Sequence, residues 1–175
     1  MGRFRQFLMS CLIAVSVLPS VLMAAADEDD EARPWLEEEL EVPPAPAADS
    51  LLPFHVSATA DHRYFVDGAS LAVGKDGVVR YVVVVEAAGG GRTVNFEGMR
   101  CSAREFRNYA SGRRDGSWST ARNSAWKPVR GLAPNSYHPA LFWEYFCPGG
   151  DIVRSPEQAR DLLRRGGHTQ NRGQI

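Results

Sequence analysis

Three cysteines, four histidines and two lysines are all that 175 residues contain of these types, and each shortage removes a class of chemistry. There is no Cys-x-x-Cys pair, so the usual signature of a redox or zinc-ribbon site is missing. The histidines are His55, His62, His138 and His168. None stands three or four positions from another ligand type on a clear helix, so a metal centre would have to be gathered from distant parts of the chain. No Gly-x-Ser-x-Gly elbow is present, and neither Ser70 nor Ser102 has an evident base. Gly89-Gly90-Gly91 lacks the Gly-Lys-Ser/Thr ending of a phosphate loop and joins two strand-like runs, which makes it a hairpin connection. Nothing calls for a cofactor. The remaining composition, 44% hydrophobic and 23% charged with a net charge of −1, excludes a collagen, a coiled coil or a wholly disordered chain.

The first 26 residues have the layout of a secretory signal peptide. Arg3 and Arg5 precede an apolar stretch over residues 7–23, and Ala24-Ala25-Ala26 supplies small residues for cleavage after Ala26. Leu8-Met9-Ser10-Cys11 precedes the apolar core instead of following it, so it is not a lipoprotein box. Export to the periplasm or beyond is therefore expected, with no transmembrane segment left after processing and no cytosolic nucleic-acid role. Cleavage leaves two cysteines, Cys101 and Cys147, and two cysteines in an oxidising compartment predict one disulfide.

The expected mature chain carries a net charge of −3, divided unevenly. Residues 27–49 hold ten acidic residues against Arg33 alone, whereas residues 50–175 hold 17 basic against 11 acidic. Fifteen of those 17 are arginine, which grips carboxylates and phosphates with a planar fork and stacks on rings. Residues 27–50 thus form an acidic leader with a proline-rich spacer. Two readings stand side by side. The leader is a solvated, solubilising segment, or Trp35 and Glu37-Glu38-Glu39 dock back onto the arginine-bearing domain.

Hydrophobic periodicity places the domain at 51–166, with a flexible tail at 167–175. Short strands are predicted at 63–67 and 70–74, then a turn at Lys75-Asp76-Gly77. Val78–Glu86 is apolar on nearly both faces and reads as a central strand. Residues 93–101 form its partner, and 104–110 read as strand in preference to helix. Two helices follow: one over about 136–146, and one capped by Ser155-Pro156-Glu157-Gln158. This predicts an α+β fold: a small antiparallel sheet of about five strands, two C-terminal helices on one face and one disulfide.

The residues most able to carry a function are basic and aromatic. Arg100, Arg104, Arg107, Arg113, Arg114 and Arg122 lie within 23 positions, interleaved with Phe106, Tyr109, Trp118 and Trp126. A candidate binding surface of Arg80, Arg100, Arg104, Arg107, Trp118, Trp126 and His138 suits an anionic ligand or an envelope protein. The same residues would also serve as aromatic core and surface ion pairs. Carboxylate pairs such as Asp151 with Glu144, or Glu97 with Glu105, fit surface balancing of arginines better than acid–base work.

As a set, Asp67-Gly68-Ala69-Ser70-Leu71, Lys75-Asp76-Gly77-Val78-Val79-Arg80-Tyr81 and Phe96-Glu97-Gly98-Met99-Arg100-Cys101 resemble the "cryptic neisserial protein-like" family of proteobacterial envelope proteins. Trp118, Trp126, His138, Phe146-Cys147 and the Trp35-Leu36-Glu37 leader extend that similarity over most of the expected mature chain. The resemblance implies export and a single domain, and brings neither an activity nor catalytic residues. The sequence therefore predicts a non-catalytic envelope binding module; the alternative is a small periplasmic hydrolase whose site residues the sequence does not pick out.

Overall fold

A computed structural model describes residues 34–131 and 135–168. The expected signal peptide with its cleavage site at Ala26, the first residues of the leader and the tail from 169 on lie outside the described residues. Trp35–Ile175 form one compact unit; of Met1–Pro34 only Pro34 is described.

The fold is a mostly-β α+β arrangement around one antiparallel sheet of eight strands. These are β1 (Leu51–Phe54), β2 (Arg63–Asp67), β3 (Ala72–Val73), β4 (Val78–Glu86), β5 (Arg92–Arg100), β6 (Glu105–Gly112), β7 (Trp118–Thr120) and β8 (Lys127–Pro128). The main order is β1-β2-β4-β5-β6-β7, with β3 beside one end of β4 and β8 beside β6. The expectation of about five strands is corrected to eight. The added strands, β1, β7 and β8, have only four, three and two residues, and β1 contains Pro53. Pieces that short show no alternation, and a proline confines β1 to the sheet edge. Residues 104–110, read as strand, fall in β6 apart from Arg104.

β4 sits in the middle because both of its faces can be buried. Val79, Tyr81 and Val83 join Met99 of β5 and Cys101 just after it in the larger core cluster. Val82 joins Phe96, Tyr109 and Ala110 in a second cluster on the opposite face. Where the β2–β3 edge breaks away from β4, the Ser70 hydroxyl takes over the ladder, accepting from the Val82 N–H at 3.0 Å and donating to the Asp67 carbonyl at 3.0 Å. Ser70 is therefore a backbone surrogate.

The C-terminal segment covers the first face. The expected single helix over 136–146 is instead a short α1 (Tyr137–Ala140) running into a wider π-type helix, Leu141–Phe146. The Cys147 N–H reaches back five residues to the Phe142 carbonyl at 2.8 Å. Leu141, Phe142, Tyr145 and Phe146 are all buried against the sheet, while Trp143 and Glu144 are only partly covered. α2 (Pro156–Arg164) starts as expected, with Ser155 Oγ accepting from the Gln158 N–H. The Gln158 side chain accepts from the Arg154 N–H at 2.7 Å, one residue earlier than a capping box has it. Ala159, Leu162 and Leu163 are its buried stripe. The Cys101–Cys147 disulfide, with Cα atoms 5.6 Å apart, ties the turn after β5 to the end of the π-type helix.

Candidate functional site

Residues 35–46 of the leader lie across the second face of the sheet, in contact with the β3–β4 turn, β4, β5, β6 and β7 through the interactions described next. Glu37, Leu40, Pro43 and Pro46 are the residues drawn in from full exposure, while their neighbours stay exposed. Every third residue facing inward is the period of polyproline II, and the proline content favours that backbone.

The first contact is with the β3–β4 turn. The Trp35 indole N–H donates to the Asp76 carbonyl at 2.7 Å, the Glu38 N–H donates to Asp76 Oδ2 at 2.9 Å, and the Lys75 N–H donates to Glu38 Oε1 at 3.1 Å. Asp76 also forms a two-bond pair with Arg80. Burial works against ionisation of Asp76, but the bonds from Arg80, Glu38 and Val78 outweigh it and hold the carboxyl below the ordinary aspartate value. Gly74 makes this packing feasible: a Cβ there would collide with Asp76, Arg80 and Glu38 together.

Glu37 is the centre of the site. Its Oε2 accepts from Arg107 Nη1 and its Oε1 from the Tyr109 hydroxyl, both at 2.5 Å, with Arg80 Nη2 3.9 Å away. Tyr109 follows Arg107 by two positions and so shares its face; it is also the extra residue of a bulge, Phe96 pairing with Ala110 and Glu97 with Asn108. Its ring then lies over Gly98, where any Cβ would overlap it. Beside Glu37, the Arg100 guanidinium is stacked 4.1 Å from the Trp35 ring and 5.2 Å from Trp126, the two indoles meeting edge-on at 5.8 Å. Further along, Leu40 packs on the Val82–Phe96–Tyr109 cluster, and the Trp118 indole donates to the Pro43 carbonyl at 2.8 Å.

Five of the seven candidate surface residues, Arg80, Arg100, Arg107, Trp118 and Trp126, thus share one face, and the leader lies on it. Arg104 and His138 are elsewhere. Arg104, held at φ 54° in the β5–β6 turn, stacks on Trp143 at 4.7 Å. His138 is on the helix side, stacked on Phe106 at 3.5 Å with Nε2 3.0 Å from Glu97 Oε2. Glu97 also accepts from the Tyr81 hydroxyl at 3.0 Å and the Tyr137 hydroxyl at 2.7 Å. Glu105, considered as its partner, pairs instead with Arg100. Glu97 is 2% exposed and is the shared partner of Tyr81, Tyr137 and His138, so the cluster is a polar network packed between sheet and helix, with the His138 ring partly exposed at its edge. Among the described residues, no three His, Cys, Asp or Glu side chains are grouped to hold a metal ion.

Tyr109 stands in the basic–aromatic set but not among the seven candidate residues, and Asp76 reads from sequence only as a turn residue, because the segment its second carboxylate oxygen serves is 38 positions away.

Residues 30–164 match the CNP1-like family, a span that takes in the leader from Trp35 onward together with the whole sheet and both C-terminal helices. The chain belongs to the CNP1-like family. No curated protein and no solved structure matches it. In this CNP1-like chain the matched region includes both partners of the Glu37 contact.

Four of the five tyrosines have phenol groups held above the usual value. Burial raises Tyr81, Tyr137, Tyr109 and Tyr64, and the adjoining carboxylates of Glu97, Glu37 and Asp61 add to it. A phenol raised in the folded state favours folding below the unfolded value near 10 and loses that contribution as the pH climbs further. Stability is therefore expected to fall steeply above pH 10. Phenolate absorbance should rise together with loss of near-ultraviolet circular dichroism, and a large phenolate signal from the intact fold would contradict these environments.

Proposed function

We propose that this CNP1-like protein is an exported, non-catalytic binding module of the cell envelope whose Arg–Tyr–Trp sheet face recognises acidic, tryptophan-led polypeptide. The observation that carries this reading is the seat of Glu37. One carboxylate takes a guanidinium from β6 and a phenol from the bulge, while the tryptophan two positions earlier stacks on Arg100. A charge-assisted pair beside an aromatic anchor is the make-up of an interaction hot spot. The leader occupies that face in its own chain, and it supplies the pattern a partner would present. The export signal and the paired cysteines support an envelope location, and among the described residues no helix is long and apolar enough to cross a membrane.

The test keeps the full chain and breaks only the leader's grip, with Trp35→Ala and Glu37→Ala together. Loss of the charged hydrogen bonds should lower stability by about 2 kcal/mol and leave the sheet folded. A fluorescent peptide with the sequence of residues 34–46 should then bind the variant and give little anisotropy change with the unaltered protein. Adding Arg107→Ala should weaken peptide binding at least tenfold. A folded variant that ignores the peptide overturns the proposal.

A further inference from the structure

Six of the fourteen described arginines have a carboxylate within ion-pair distance: Arg63, Arg80, Arg100, Arg107, Arg160 and Arg164. Arg92, Arg113 and Arg114 have none among the described residues, although acids lie close by in the strand pairing and the chain. Arg92 is opposite Glu86 in the β4–β5 register, but the Glu86 carboxylate is taken by Arg63 at 2.6 Å. Arg113 and Arg114 belong to the β6–β7 hairpin, where Asp115 is folded back onto the Ser117 N–H and hydroxyl at 2.9 and 2.7 Å. Both neighbouring carboxylates are thus engaged elsewhere.

The three arginines line a single groove of about 260 Å³ that contains no acidic side chain. Val94 and Trp118 supply apolar surface and Pro46 of the leader forms part of the wall. Two parts are fixed in place. Arg113 Nη1 donates to Ser117 Oγ at 3.3 Å and to the Trp118 carbonyl at 3.2 Å, and the Trp118 indole is tied to the Pro43 carbonyl. Among the described residues, the side chains of Arg92 and Arg114 make no hydrogen bond, leaving their guanidinium donors for a ligand. Three guanidinium-bearing side chains along one groove suit an anion that is small, doubly charged and rich in oxygen acceptors. The groove is several times the size of one such group, so an organic substituent fits beside it against Trp118 and Val94.

We propose that the Arg92–Arg113–Arg114 groove, at the Pro46 end of the leader-bearing face and distinct from the seat of Glu37, is a phosphomonoester-binding site. Three guanidinium groups take the phosphoryl oxygens, and the apolar wall takes the carbon skeleton. The phosphomonoester reaches the site either as a small soluble molecule or as a lipid headgroup.

Arg92→Ala and Arg114→Ala test this without disturbing the fold, since neither side chain makes a hydrogen bond within it. In one arm, inorganic phosphate is titrated into the ¹⁵N-labelled protein at low ionic strength, because exposed charges are screened by salt. The expected result is a saturable shift of the Trp118 indole and the Gly112 and Gly116 amides, weakened at least tenfold in the double variant. In Arg164→Ala, whose arginine pairs with Asp161 on α2, it should be unchanged. In the other arm, the protein is sedimented with phosphatidylcholine vesicles with and without phosphatidic acid. Phosphate binding with vesicle indifference identifies a soluble ligand. Sedimentation only with phosphatidic acid, lost in the double variant, identifies a headgroup. Binding that persists in the double variant, or its absence in both arms, overturns the proposal.

Discussion

Glu97→Ala is expected to destabilise the protein by about 3–5 kcal/mol, read as a drop in the urea midpoint followed by circular dichroism. The carboxylate is 2% exposed and three side chains converge on it from β4 and from α1. Removing it leaves two buried hydroxyls and an imidazole without their acceptor and opens a cavity between sheet and helix. Each unsatisfied group costs about 1–3 kcal/mol, and part of this is recovered if water enters. Glu97→Gln keeps the volume and one acceptor, so it should cost less than half as much. A loss under 1 kcal/mol for the alanine variant would show that the cluster is not the packed polar network described above.

Removal of the disulfide, by Cys101→Ala with Cys147→Ala, comes next in size. The two residues are 46 apart in sequence, and closing a loop of that length lowers the entropy of the unfolded chain by an amount worth about 4 kcal/mol at room temperature. Both sulfurs are buried, at 7% and 0% exposure, so the alanines also leave a small void. A fall in the thermal midpoint on the order of 12–20 °C is expected for a unit of this size. The π-type helix should loosen first, since Cys147 ends it. An unchanged midpoint under reducing and oxidising conditions would remove the bond from the account of stability.

How much of this was legible beforehand depends on the range over which each interaction acts. β4 was legible because nine consecutive residues declare two apolar faces, and α2 because Ser155-Pro156 sets its start by local hydrogen bonding. The π-type helix was not: its apolar spacing at 141, 142, 145 and 146 suits a wider turn as well as an ordinary α-helix. Glu97 reads from sequence as one more surface acid in a strand. Its partners are 16, 40 and 41 positions away, so nothing local marks it as buried. The basic–aromatic set was visible as composition, but its division was not, because Arg104 leaves the shared face in the β5–β6 turn and His138 lies on α1, both held by partners distant in the chain.

The leader's contact with the sheet has a consequence for how its sequence can vary. A β-strand is read in pairs, and a single insertion turns every side chain over. Residues 37–46 are read in triplets instead, Glu37, Leu40, Pro43 and Pro46 forming a Glu-x-x-Leu-x-x-Pro-x-x-Pro frame whose intervening positions face solvent. Substitutions at the intervening positions other than Glu38, whose carboxylate accepts from the Lys75 N–H, leave that frame intact. Length changes preserve it only in multiples of three, so a one-residue deletion between Glu37 and Pro43 disrupts the leader more than several exposed replacements combined.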